Sequence, residues 1–306
     1  MKKYYSFRIF LILIFVTFTV PSYALIKIPD NRISNFVLID INNDGKKELI
    51  ASKDNSIIIY QFQNNTIKEI GRNNTDSVIK QVLYSNKECF IFSNKILFLC
   101  KFTSSKPFIN KLLDLSKENF NFLLEVNING DVLNVIGVKY SSDLQRKASI
   151  VLLKFFSNKE IKRNELITTD NVYGVYSQDD KGTRIIIAKG AEEKVDKLIL
   201  YSLNKDNLQV IKNINFSNMV INSPWFYNGI GKAFYISCWK GDVDSNSGYF
   251  GILKFDIDTE KTKDIIKIKY PTSSIIIGDI NSDGKEDIIW KDDKGLNIEL
   301  NCKQLN

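Results

Sequence analysis

The 306-residue sequence predicts an all-β chain folded as a β-propeller of four-stranded blades. Three observations carry that expectation. One strand–turn–strand pattern recurs six times, no segment shows a convincing helical apolar stripe, and the leftover segments at the two ends complement each other.

The first 24 residues stand apart from the fold. Lys2, Lys3 and Arg8 precede an unbroken run of apolar residues and threonines from Ile9 to Val20. Pro21 then breaks the run, and Ser22-Tyr23-Ala24 places small residues where a signal peptidase needs them. The run is about twelve residues, against the roughly 20 that a membrane-spanning helix requires. A cleaved signal peptide over 1–24 is expected, followed by one domain over 25–306 and no membrane span after cleavage. The expected location is secreted, periplasmic or cell-surface. No cysteine lies near the cleavage point, which argues against a lipoprotein.

The six repeats follow in order. They read Glu48–Lys53 with Ser56–Tyr60, Cys89–Phe92 with Ile96–Phe102, and Leu133–Lys139 with Ser149–Phe155. Arg184–Lys189 with Lys197–Tyr201, Phe234–Lys240 with Tyr249–Phe255, and Asp287–Lys291 with Leu296–Leu300 complete the set. All are short, rich in Ile, Val, Phe and Tyr, and bounded by Asn, Asp, Gly and Ser, which marks strands rather than helices. Further apolar runs precede several of them (Phe36–Ile39, Phe122–Leu124, Ile275–Ile277) or follow them (Thr66–Ile70, Leu208–Ile211, Thr262–Ile268). Four strands in about 47 residues is the size of a propeller blade.

The sixth repeat stops after its third strand, whereas Leu25–Ile28 begins the mature chain as an unassigned strand. Letting the first segment complete the last blade closes the ring and removes an open edge. Six blades are expected, with seven as the alternative, because the two sharpest motifs lie 239 residues apart, near six periods of about 40.

Composition removes several functions. With no histidine there is no Ser-His-Asp triad, no Cys-His pair and no His-ligated metal. Loss of the leader lowers the net charge from +7 to +4, and the remaining lysines scatter through turns and strand ends without a basic stripe. Nucleic acid is not an expected partner.

Two connections between first and second strands are nearly identical. They are Asp40-Ile-Asn42-Asn-Asp44-Gly45-Lys46-Lys-Glu48 and Asp279-Ile-Asn281-Ser-Asp283-Gly284-Lys285-Glu-Asp287. Oxygen-bearing side chains fall at loop positions 1, 3, 5 and 9, glycine makes the turn at 6, and the residue at 7 offers a carbonyl. Oxygens spaced in this way wrap a hard cation, and Ca²⁺, which takes six to eight of them, suits the loop better than Mg²⁺. Two calcium sites are expected, on Asp40, Asn42, Asp44, Lys46 and Glu48 and on Asp279, Asn281, Asp283, Lys285 and Asp287. Glu125–Leu133 is a decayed copy that ends on Leu133 in place of a carboxylate, and no metal is assigned to it. Asp242, Asp244 and Asn246 form a weaker candidate in a different turn.

The loop Asp-x-Asn-x-Asp-Gly-x-x-(Asp/Glu)-(Leu/Ile) resembles the FG-GAP/VCBS repeat of integrin-α-type β-propellers. The close matches cover 36–52 and 275–291, and the repeat pattern extends the resemblance loosely over 25–306. The resemblance implies a calcium site at each loop, on the ten residues just named. The middle blades lack the full loop, and the Phe-Gly…Gly-Ala-Pro signature is absent.

The cysteines and aromatics give secondary expectations. A two-residue turn at Asn94-Lys95 sets Cys89 opposite Cys100, where a disulfide could form in an oxidising compartment; two buried thiols are the other reading. Cys238 and Cys302 fall in adjacent blades. Trp239 and Trp290 hold similar places in neighbouring blades, as interblade packing requires, although exposed aromatics would also stack on a sugar. Together these features predict a monomeric, exported calcium-binding propeller that acts as a non-catalytic binding or scaffolding module. Its ligand would be a protein or a glycan met by the long turns such as Ser141–Lys147 and Lys240–Gly248. The alternative is a secreted carbohydrate-active enzyme with an acid/base pair on the ring axis.

Overall fold

A computed structural model of the chain describes residues 25–85, 87–103, 106–141, 146–179, 183–190, 195, 197–215, 225–228, 233–240, 248–269, 272 and 274–302. The leader and the turn bearing Asp242, Asp244 and Asn246 lie outside them. Every regular element among the described residues is a β-strand, and the strands form six four-stranded antiparallel sheets.

The chain opens with β1 (Leu25–Ile28). Blade one follows as β2 (Ile33–Ile39), β3 (Glu48–Lys53), β4 (Ser56–Gln63) and β5 (Thr66–Asn74), and blade two as β6 (Ile79–Ser85), β7 (Glu88–Ser93), β8 (Ile96–Thr103) and β9 (Lys106–Asp114). Blade three is β10 (Phe122–Asn129), β11 (Val132–Tyr140), β12 (Ala148–Phe156) and β13 (Ile161–Thr169). Blade four is β14 (Val172–Asp179), β15 (Thr183–Lys189), β16 (Lys197–Asn204) and β17 (Asn207–Asn215). Blade five is β18 (Trp225–Asn228), β19 (Ala233–Lys240), β20 (Tyr249–Asp256) and β21 (Thr262–Ile268). Blade six is β22 (Ser274–Gly278), β23 (Asp287–Asp292), β24 (Gly295–Glu299) and β1.

The first strands of successive blades touch around a ring, and β22 meets β2 to close it. The closure is the one expected: β1 pairs antiparallel with β24, Leu25 opposite Glu299 and Ile28 opposite Leu296. Gly295 permits it. Its φ of 137° is open to glycine, and a Cβ there would stand 2.1 Å from the carbonyl oxygen of Ile28. Asp30, just past β1, then ties the strand inward through an ion pair to Lys53 on β3.

Six apolar layers hold the ring, each shared by two neighbouring blades. Between blades six and one, Ile280, Ile289 and Ile298 meet Leu49, Ala51 and Ile58. Second and third strands are therefore covered on both faces: the first five residues of β3 and of β4 are all buried, which makes them near-continuous apolar runs. Outer strands such as β5 are largely solvated and mix polar with apolar residues. Register shifts between the third and fourth strands of blades one to five bend those outer edges, and such bulges discourage edge-to-edge pairing. Side chains also cross between blades. The Asn35 Oδ1 accepts the Val82 N–H at 3.1 Å, and Gln81 both accepts from Leu123 N (2.9 Å) and donates to Leu123 O (2.7 Å).

Two expectations change. The segment 125–133 is no loop: β10 runs on to Asn129 and turns through Gly130 and Asp131 straight into β11. Cys89 does face Cys100, with positive φ at Asn94 and Lys95 making the expected turn. Both are thiols, however, not a disulfide. They occupy a hydrogen-bonded pair of the ladder, the setting with the wider Cα separation. Cys238 and Cys302 belong to different layers, one on each face of blade five. Trp290 is buried in the layer between blades five and six, as interblade packing predicts, whereas Trp239 packs edge-on against its cross-strand partner Phe250 within blade five.

Candidate functional site

The two acidic loops join β2 to β3 and β22 to β23, in blades that neighbour each other across the ring closure. Their local fold follows from short polar side chains that cap backbone N–H groups two to five residues ahead. Asp44 N donates to Asp40 Oδ1 at 3.2 Å and to Asn42 Oδ1 at 3.0 Å. In the second loop Asp283 N donates to Asp279 Oδ1 and Asn281 Oδ1, both at 3.2 Å. Gly45 N and Gly284 N donate to Asp40 Oδ2 and Asp279 Oδ2, each at 2.9 Å. Lys46 N reaches Asp44 Oδ1 at 2.8 Å, and Lys285 N reaches Asp283 Oδ1 at 2.9 Å. The glycines need φ of 85° and 81°, and Asn43 and Ser282 before the acids take the left-handed region as well.

The structure thus draws positions 1, 3 and 5 together around the backbone N–H groups of the turn and buries position 9. Glu48 and Asp287 lie beneath the loops, 1% and 0% exposed. Glu48 Oε2 accepts Ile41 N at 3.2 Å and Oε1 accepts Gln61 Nε2 at 3.0 Å. Asp287 Oδ2 accepts Ile280 N at 2.9 Å and Oδ1 accepts Asn301 N at 2.7 Å. These carboxylates clamp the loop from below. Among the described residues no three Asp, Glu or Cys side chains gather into one metal-binding group. The upper cluster in each loop consists of two carboxylates and an amide.

Electrostatics divides the same way. Hydrogen bonds from Lys46 N and from the Asn42 amide hold the Asp44 carboxyl below its ordinary range. Burial pushes Asp283 upward, but the Lys285 N–H and the Asn301 and Asn281 amides outweigh it and leave that carboxyl low as well. Burial first, and then the like charges of the loop acids above (Asp44 and Asp40, Asp283 and Asp279), push Glu48 and Asp287 up.

The upper cluster fits a hard cation. Its donors are all oxygen, each capped carboxylate oxygen keeps a second lone pair beyond the N–H it accepts, and no thiolate competes. Asp40, Asn42 and Asp44, with Asp279, Asn281 and Asp283, would be the side-chain ligands, and Lys46 and Lys285 would contribute carbonyls. Sequence reasoning missed the isoleucine at position 2. Ile280 is 2% exposed within the layer between blades six and one, and Ile41 packs onto the layer between blades one and two. Its one sequence signal is that the residue is the same in both loops.

No protein-family model and no curated protein sequence matches the chain. The fold is similar to that of solved propellers, among them a luciferin-regenerating enzyme. That match has a TM-score of 0.51 and 11% identity, over 90% of this chain and 94% of that one. At such identity the likeness is one of fold. The class that fold and site define is a six-bladed β-propeller with twin acidic loops beside its closing seam.

Proposed function

We propose that the chain is a calcium-binding propeller of the FG-GAP/VCBS kind, exported and acting as a non-catalytic binding or scaffolding module for a protein or glycan. The observation that supports this reading is the repetition of one hydrogen-bond network in two loops. Turns free of any ligand requirement have no reason to keep the same three side chains aimed at the same three backbone amides. Calcium bridging positions 1, 3, 5 and 7 would relieve the repulsion among the loop carboxylates and stiffen the two blades that flank the closure. The propeller would then present its turns to a partner as a rigid disc. Export, which the leader-like first 24 residues favour, would place the loops where weak oxygen-ligand sites of this kind work.

Isothermal titration of the mature chain with Ca²⁺ tests this reading. Two binding events are expected, both lost in the Asp44→Ala, Asp283→Ala double variant. Absence of calcium binding would remove the metal reading. Hydrolysis of a polysaccharide panel would replace the non-catalytic reading with that of a carbohydrate-active enzyme.

A further inference from the structure

The groove between blades three and four holds a polar pocket of about 170 Å³ that the acidic loops have no part in. Its wall is two cross-strand rows of blade three. The inner row is Glu125–Ile136–Leu152, and the row above it is Asn127–Asn134–Lys154. Blade four supplies Leu203 and Lys205 from the other side.

Register shows why the space is open. Asn134 and Lys154 stand one row beyond the apolar pair Ile136–Leu152, as Glu48 and Gln61 stand one row beyond Ile50–Ile59 in blade one. There the long loop folds back, its isoleucine N–H bonded to Glu48, and Ile41 packs against the groove. Blade six repeats this with Ile280 and Asp287. Blade three has only the turn at Gly130 and Asp131, so no loop of that blade among the described residues plugs the corresponding groove.

The opening is braced rather than collapsed. Lys154 forms an ion pair with Asp206, and Asn164 Nδ2 donates to Asp206 O at 2.5 Å, which fixes the turn of blade four above the pocket. Lys205, next to Asp206, is an exposed cation at its rim. Charge around the site is balanced: Lys154 and Lys205 oppose Glu125 and Asp206. A lone anion gains little from such a lining. A carboxylate, two carboxamides and two ammonium groups over an aliphatic floor instead supply donors and acceptors in alternation, and a hydroxyl both donates and accepts. The volume equals roughly five or six waters at about 30 Å³ each, which is the room of one sugar ring and far below a drug-sized cleft.

We propose that this pocket binds a single neutral monosaccharide unit, with Asn127, Asn134 and Lys205 reading its hydroxyls and Ile136, Leu152 and Leu203 meeting its C–H face. The proposal rests on the binding-module reading for its purpose, but its site is separate from the calcium loops.

The test is NMR titration of the full mature chain with glucose, galactose, mannose and N-acetylglucosamine, with glucuronate and glycine as charged controls, each with and without chelator. Saturable millimolar binding of a neutral sugar is expected, unaffected by chelator and weakened about tenfold by Asn134→Leu, a loss of about 1.4 kcal/mol. Lys205→Ala, on an exposed turn, should weaken it as well without lowering the melting temperature, so a misfolded Asn134 variant does not decide the matter. No saturable binding of any neutral sugar, binding of the charged controls alone, or binding unchanged in both variants would overturn the proposal. Sugar binding that chelator abolishes and both variants retain would overturn it too, and would move glycan recognition to the acidic loops. That outcome leaves the binding-module reading standing, whereas calcium titration tests the metal reading independently.

Discussion

Glu48 and Asp287 hold the same station in blades one and six, each accepting the backbone N–H of an isoleucine seven residues earlier. Both are buried, whereas Asp44 and Asp283 above them are exposed. The two acids at position 9 therefore differ in role from those at positions 1 and 5, and that difference is measurable. Asp287→Ala strands the buried N–H of Ile280, at about 1–3 kcal/mol for a buried unsatisfied donor, and the part-buried N–H of Asn301. The melting temperature should fall by several degrees with chelator present. Asp283→Ala, on the exposed upper cluster, should cost stability only when calcium is supplied. Equal losses for both variants in chelator would contradict this division.

Calcium itself should raise stability. A ligand held only by the folded state contributes about 2.7 kcal/mol per site at a hundredfold excess over Kd. Chelation should lower the melting temperature, and the Asp44→Ala, Asp283→Ala double variant should abolish most of that response. Hydrogen exchange should reveal the loss first around 25–50 and 275–302. A melting temperature indifferent to chelator would reduce the loops to ordinary turns.

Much of this was legible before the structure. Middle strands such as Glu48–Lys53 are buried over most of their length, so they read as plain apolar runs with their bounds within a residue or two, although Ser56–Tyr60 is three residues short of β4. Outer strands such as Thr66–Asn74 are solvated and were read several residues short. Pairing of Leu25 with Glu299 could be inferred because a ring leaves no strand over. The pocket could not. It depends on which way Asn134 and Lys154 point, and on the short turn of blade three, and neither is visible until the register of β10 with β11 is known. Glu125–Leu133 misled for a related reason: Asn and Gly spaced like a decayed loop also make a tight hairpin turn.

Gly295→Ala should unlatch the closing strand. Its φ is strained for any other residue, and the added methyl would meet the Ile28 carbonyl, part of the backbone that β1 must present. A loss exceeding the roughly 1 kcal/mol of an ordinary glycine effect is expected, with faster hydrogen exchange at Ile26–Ile28. Exchange unchanged there, despite lower stability, would place the damage elsewhere.

Cys89 and Cys100 should resist thiol reagents while the protein is folded. Both are 2% exposed, and the hydrogen bond with Cys100, together with burial, pushes the Cys89 thiol well above its usual range. At about pH 8 alkylation of this pair should appear only on unfolding, read by mass spectrometry of the peptides. Rapid labelling of the native protein would show that blade two opens.

Acid should loosen the seam through Asp30. Burial raises its carboxyl, yet hydrogen bonds from Lys53 and Arg32 outweigh that and hold it below the ordinary value of 3.8. A depressed acid stabilises the fold fully above its unfolded pKa, and that stabilisation is lost as pH falls through the folded one. Asp30→Asn should therefore destabilise at neutral pH and differ little from the parent below about pH 3. A constant difference across that range would assign the effect to packing.

Leu25 bonding opposite Glu299 also sets a timetable for maturation. The first strand to emerge is among the last to find its mate, since its neighbour in the sheet is made some 270 residues later. Until then Leu25–Ile28 is an orphan edge, and blade six lacks its outer wall. Five blades can assemble as the polypeptide appears, each from consecutive segments, but the circle waits until β24 has been made. Loss of either β1 or β24 breaks the same joint, so two segments far apart in sequence share one weakness. A variant with the termini fused and new ends cut between β9 and β10 would build the joint early from adjacent sequence, and should refold faster than the natural order allows.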